Sequence, residues 1–142
     1  MMMQNNTHGY LVFRVRHEWY AITVDSVIEV LHMVALNEVP EPGVLGMMTL
    51  RNRPVKVIDL RQLFGLPKPD YKLDTPIIAV NTSQGAIGLV VDEADGVTQV
   101  TPENISIYDE EYIEGVFRDQ GRMIFIVKLE QLGITNRQST AR

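Results

Sequence analysis

GMMTLRNRPVKVIDLRQL, residues 46–63, can be laid over GVFRDQGRMIFIVKLEQL, residues 115–132, at a constant offset of 69. Glycine opens both stretches, Arg53 falls on Arg122, and VIDLRQL matches IVKLEQL almost type for type. A second pair, YAITVDSVIEV (20–30) over IGLVVDEADGV (87–97), aligns at an offset of 67 and shares a Val-Asp step and a final valine. Two matches in the same chain order and at nearly the same offset point to two similar lobes of about 65–70 residues.

The local patterning inside these stretches is that of short strands. In LVFRVR (11–16), Leu11, Phe13 and Val15 alternate with Val12, Arg14 and Arg16, the period of a strand with one wet face. WYAITV (19–24) follows after His17 and Glu18, so the two read as a hairpin. Further strands are expected at 77–82, 86–92, 97–100 and 123–128, and long helical periodicity is absent. The fold class is all-β, a barrel or sandwich.

Turn chemistry adds detail to residues 46–66. The later copy turns through Asp119-Gln120-Gly121, where glycine takes positive φ without steric cost. Asn52 holds the matching position in the earlier copy, and asparagine tolerates the left-handed region well. Arg51 then sits at a hairpin tip, projecting into solvent. Pro54, with no N–H for a ladder, belongs at a strand start or edge. Asp59 with Gln62 three residues on is a variant capping box. Leu60, Leu63 and Phe64 make one buried helical face, ended by Gly65 and Pro67. Lys56 and Arg61 are placed on the wet side.

Composition bounds the function. The chain has 142 residues, one domain's worth, with 45% hydrophobic and 22% charged residues and a formal net charge of −5. It has no cysteine, which rules out disulfides, thiolate nucleophiles and sulfur-ligated metals. Residues 1–10, MMMQNNTHGY, lack the layout of a secretion signal, and no apolar run approaches a membrane span, so a cytoplasmic protein is expected. His8, His17 and His32 lack metal-ligand spacing, and Ser26, Ser83 and Ser106 have no sequence reason to meet a histidine. The acids of DEADG (92–96) lack the spacing of a calcium-binding loop. No catalytic residue, metal or other cofactor is expected.

Charge is uneven: residues 51–68 carry five cations and one acid, and 92–119 carry nine acids against Arg118. Solvated loops explain this, as do two surfaces with different partners. Small β-barrels also bind single-stranded nucleic acid, through a cationic groove lined with aromatic platforms. Here aromatics are 7%, Phe64 is assigned to the core, and a net negative field repels phosphate. Nucleic acid is therefore not expected as a partner.

VLGMMTLRNRPVKVIDLRQLFGL (44–66) resembles the signature of the CheW family of bacterial chemotaxis adaptors: a glycine-led strand, an Asn/Thr-Leu-Arg-Gly hairpin, then a Val-Pro-Val-Ile-Asp-Leu-Arg type strand. The likeness runs from Tyr10 to Leu132, with YLVFRV, Tyr20 to Val30, IGLVVDEADGV and GRMIFIVKLEQL in family order. It implies a single domain over 10–132, made of two five-stranded β-barrel lobes side by side with short helical turns. The lobes divide near residue 72 (roughly 10–72 and 73–132), and 1–9 and 133–142 are polar, flexible ends. The family implies a scaffold without chemistry of its own, coupling the cytoplasmic tip of chemoreceptors to the regulatory domain of a CheA-type histidine kinase. The protein would be recruited to membrane receptor arrays without inserting into the membrane. The groove between lobes would take the receptor hairpin and the barrel ends the kinase. A kinase of the same type in a pilus or surface-sensing pathway is the alternative.

Several positions carry over by resemblance. Arg51 matches the family's hairpin arginine, and Glu29 an acid that pairs with it across the surface. Val27, Gly46 and Gly88 match positions near partner-binding surfaces; a core valine and two packing glycines would explain them equally well. Val30 and Asn52 complete the implied partner-facing set. Two departures stand out. Asn52 replaces the usual glycine, and ISIYDEEY (105–112) is shorter and more acidic than in many members, which puts contacts made there in doubt.

Overall fold

The computed structural model describes residues 6–67 and 70–133. The first half of the chain forms β1 (His8–Val15), β2 (Glu18–Thr23), β3 (Val27–His32), β4 (Gly46–Leu50), β5 (Arg53–Asp59) and a single helical turn, α1 (Leu60–Leu63). The second half forms β6 (Pro76–Thr82), β7 (Gly85–Val90), β8 (Glu93–Val100), the two-residue β9 (Ser106–Ile107), β10 (Ile113–Asp119), β11 (Arg122–Val127) and α2 (Leu129–Gly133). All strands anticipated from the alternation are present. His8 and Gly9 belong to β1 rather than to a flexible end. The expectation of flexibility for 1–5 and 134–142 concerns residues outside those described.

These strands form two sheets, ordered β8-β1-β2-β11-β10-β9 and β3-β6-β7-β5-β4. Each sheet is rolled up. In a flat sheet β8 and β10 would lie four strand spacings apart, about 19 Å, yet Thr98 Oγ1 on β8 donates to Asp119 Oδ1 on β10 at 3.4 Å. Across the second sheet, Arg51 at the β4–β5 turn reaches Glu29 on β3 at 3.2 Å, although β3 and β4 are its two outermost strands. The result is two β-barrel lobes.

The internal echo is real in three dimensions, but the halves are exchanged. The β1–β2 hairpin shares its barrel with β8, β10 and β11, whereas β6–β7 shares its barrel with β3, β4 and β5. The joins are parallel: β11 runs beside β2, with Phe125 opposite Tyr20, and β5 beside β7, with Val57 opposite Gly88. Each barrel therefore takes strands from both sides of residue 72, and the sheets do not follow the sequential division expected there.

Three apolar cores hold this arrangement. Tyr10, Val12, Ala21, Phe117, Ile124 and Ile126 fill the first barrel. Met48, Val55, Val57, Ile77, Ala79 and Val90 fill the second. Leu11, Phe13, Val15, Ile22, Ile58, Ile78, Val80, Leu89 and Leu132, from both sheets, pack between the barrels. The strand alternation sorts side chains between a barrel interior and the junction, as with Ile77 and Ala79 against Ile78 and Val80. This corrects the reading of β1 as a strand with one wet face: Val12 is buried inside its barrel while Leu11 and Phe13 are buried at the junction, leaving Arg14 and Arg16 to reach water.

Candidate functional site

β3 and β8 are equivalent strands of the two repeats, and each is an outermost strand of its sheet. Val30 on β3 and Val97 on β8 correspond in the echo, and both are exposed, at 44% and 55%. Val24, in the 3-10 turn (Val24–Ser26) that carries the chain from one barrel to the other, is also exposed. Gly9 leaves room for both side chains, Val24 and Val97: a Cβ there would stand 3.0 Å from Val24 Cγ1 and 3.6 Å from Val97 Cγ1. Val27 is half-buried against the junction core. Apolar side chains on open strand edges, rather than in a reactive cleft, suit protein docking.

Each barrel seam is crossed by an ion pair from a corresponding hairpin, but the two pairs differ. In the first barrel Arg122 bonds Asp95 at 3.2 Å and Asp119 at 3.5 Å, and its guanidinium lies 4.3 Å from the centre of the Trp19 ring. It is largely covered. In the second, Arg51 bonds Glu29 at 3.2 Å with 70% of its side chain exposed. The first pair seals a seam, whereas the second leaves a guanidinium in reach of another molecule.

The tip that presents Arg51 is a two-residue turn with positive φ at both central positions, 53° at Arg51 and 66° at Asn52. Gln120 and Gly121 repeat it in the other barrel, at 54° and 77°. These are the dihedral signs of a type I′ hairpin, whose twist matches that of the flanking strands. Pro54 lies one residue into β5, near the strand start, opposite Thr49. Lys56 is exposed and bonds Glu41 at 2.8 Å.

The two glycines in the implied set lie inside the fold. A Cβ on Gly46 would come 2.9 Å from both Asn37 O and Leu36 Cβ. One on Gly88, in the interior of the second barrel, would come 3.1 Å from Ile77 Cγ2 and 3.2 Å from Met48 Cε. The structure thus groups Glu29, Val30, Arg51 and Asn52 on exposed parts of the second barrel, sets Val27 at the junction, and buries the glycines in tight packing.

Arg61 corrects another expectation. It is not on the wet side but 2% exposed, between the barrels. Asp59 Oδ1 accepts from the Arg61 amide and from Nε, both at 2.9 Å, and Oδ2 accepts from Nη2 at 3.0 Å and from the Tyr71 hydroxyl. Arg61 Nη1 donates to Asp92 Oδ1 at 2.9 Å. Asp92 Oδ2 in turn accepts from the Arg16 amide at 2.6 Å. A cation is tolerated at such depth only when paired on several sides. The Asp-Leu-Arg spacing at the helix cap was the available signal, but its partners lie far along the chain.

Tyr20, Phe64 and Tyr112 meet at a cavity of about 430 Å³ between the barrels, with Glu110 and Glu111 at its wall. Phe64 is half-buried there against the junction core, as its spacing implied. Among the described residues no group of three or more histidines or acids is placed to hold a metal ion, and no helix is long and apolar enough to cross a membrane.

Comparison with known proteins places the geometry in context. Residues 9–134 match the family described as the CheW-like domain. The chemotaxis protein CheW of Bacillus subtilis (strain 168) is 30% identical over 126 residues, covering 82% of this chain and 81% of that protein. The chemotaxis protein CheW of Klebsiella aerogenes is 29% identical over 132 residues, covering 87% and 80%. Among solved structures, the scaffolding protein TtCheW from Thermoanaerobacter tengcongensis superposes with a TM-score of 0.83 at 29% identity, over 89% of this chain and 92% of that one.

Proposed function

The chain belongs to the CheW-like domain family, and from that premise we propose that it is a chemotaxis scaffold that joins receptor tips to a CheA-type histidine kinase without performing chemistry itself. The receptor's helical hairpin docks along the β3 and β8 edges, on Val24, Val27, Val30 and Val97, with Arg51 and Glu29 orienting it. The kinase's regulatory domain meets a barrel end. The protein works in the cytoplasm, at receptor arrays.

One observation carries this reading: equivalent exposed valines on the outermost strands β3 and β8, with an arginine that pairs with Glu29, the chain neighbour of Val30, and still faces solvent. A few apolar anchors ringed by charge form the usual energetic centre of a protein interface. The test is capture of a receptor-tip hairpin and of a CheA regulatory domain by the tagged protein, with single-stranded DNA as control. Capture of both proteins and not of DNA supports the scaffold; capture of DNA alone overturns it.

A further inference from the structure

The buried cluster around Arg61 does not touch the proposed docking surface, yet it bridges the barrels. Asp59, Arg61 and Tyr71 all belong to the second barrel and its loops. Asp92 is anchored to the first: its amide donates to Arg14 O at 2.9 Å, its Oδ2 accepts from the Arg16 amide, and β8 begins at the next residue. Arg14 tightens the same corner by donating to Arg16 O at 2.7 Å and to Glu93 Oε1 at 3.1 Å. A corresponding contact stands on the other side of the junction, where Glu130 of α2 accepts from the Ser83 amide at 3.1 Å and from its hydroxyl. The echo aligns Asp59 and Arg61 with Lys128 and Glu130, so the charges are reversed between the two contacts. One contact is buried and multiply bonded; its counterpart is exposed.

We propose that Asp92 is a positioning residue: through Arg61 and the Arg16 amide it fixes the rotation of one barrel against the other, and with it the spacing of the β3 and β8 edges. The physical reason is directionality. The junction core of Leu11, Phe13, Ile78 and Leu89 attracts the barrels but is indifferent to small rotations, because burial of apolar area has no preferred direction. Charge-assisted hydrogen bonds from a planar guanidinium are directional, and in a desolvated site they hold a single arrangement. That the spacing matters for docking rests on the scaffold reading; that Asp92 sets it does not.

The chain has no cysteine, so two introduced thiols carry the only spin labels. Labels at Thr49 and Glu103, both exposed and one in each barrel, report the distance between barrels by pulsed electron resonance. A second pair, at Thr49 and Gln84 of one barrel, reports internal integrity. Asp92→Ala leaves the Asp59–Arg61 pair in place and is expected to shift and broaden the first distance while leaving the second unchanged. Asp92→Asn, which keeps one acceptor, is expected to give an intermediate shift and serves if the alanine variant fails to fold. Glu130→Ala, which removes the acceptor of both bonds in the exposed counterpart, is expected to change neither distance. A folded Asp92→Ala or Asp92→Asn protein with the wild-type distance overturns the proposal. If the wild type fails to capture a receptor tip while the distance shifts, the docking reading falls and the positioning role stands.

Discussion

Val30 and Val97 occupy matching positions in the two repeats, one on each outermost strand, and both face solvent. The exchange of halves brings this about. Because β3 leaves the hairpin that precedes it to close the opposite barrel, and β8 does the same in reverse, each exchanged hairpin is flanked by an outermost strand from the other half of the chain. A doubled chain thereby presents two similar open edges. Ordinary open edges invite unwanted pairing; here they are the surface proposed for a partner.

Substituting these valines tests the surface without disturbing a core. Val30→Lys and Val97→Lys should each leave stability within about 0.5 kcal/mol, the range for surface changes. Each should weaken receptor-tip binding at least tenfold, as loss of an interface anchor worth about 1.4 kcal/mol or more does. Titration calorimetry beside urea unfolding separates the two effects.

Arg51 sits at a left-handed position that asparagine or glycine would occupy with less strain. Its ion pair with Glu29 is exposed and contributes at most about 1 kcal/mol. Arg51→Asn should therefore unfold at the same or slightly higher urea concentration and still lose kinase coupling. A variant that unfolds normally and couples normally would remove Arg51 from the site.

Gly46 and Gly88 separate packing from binding. Gly46→Ala drives its methyl into Asn37 O, a carbonyl already held by the Met47 amide at 2.7 Å, and should cost about 1–3 kcal/mol. Gly88→Ala meets Ile77 Cγ2 at 3.1 Å and the end of Met48 at 3.2 Å, side-chain atoms that give way by a few tenths of an ångström more readily than a backbone carbonyl, and should cost less. Urea unfolding of both variants checks the order; binding by the folded fraction should match wild type in each.

Alkaline pH should destabilise the fold. Burial raises the phenol pKa of Tyr10, Tyr20 and Tyr71 above the ordinary value near 10, and the Asp59 carboxylate holds the Tyr71 proton further. Above pH ~10 the unfolded chain releases phenol protons that the native state retains. The unfolded state then binds fewer protons, so unfolding becomes easier as pH rises. Tyr71→Phe should show a shallower decline, followed by urea midpoints across that range.

Much of the fold was legible locally. Alternation marks strands, and Asn52 and Gly121 mark turns, because those preferences depend on immediate neighbours. The echo announced two lobes but not their exchange, since similar repeats satisfy the same patterning whichever partner each hairpin takes. The burial of Arg61 escapes local patterning for a related reason. Asp59 is two residues away, whereas Asp92, 31 residues on, and Tyr71 decide its burial. The run Leu11-Val12-Phe13 was the one local sign that β1 is covered on both faces. Turn chemistry puts Arg51 at an exposed hairpin tip, but its pairing with Glu29 has no local signal and is implied by resemblance alone. Their distance of 3.2 Å gives the pairing a geometry.

The most direct test of the docking surface is a titration of the isotope-labelled protein with a receptor-tip helical hairpin, followed by backbone amide shifts. Perturbations should concentrate on Val27 to Val30, around Val97, and at Arg51 and Asn52. Saturating shifts confined to other faces of the barrels, or none at all, would contradict the account.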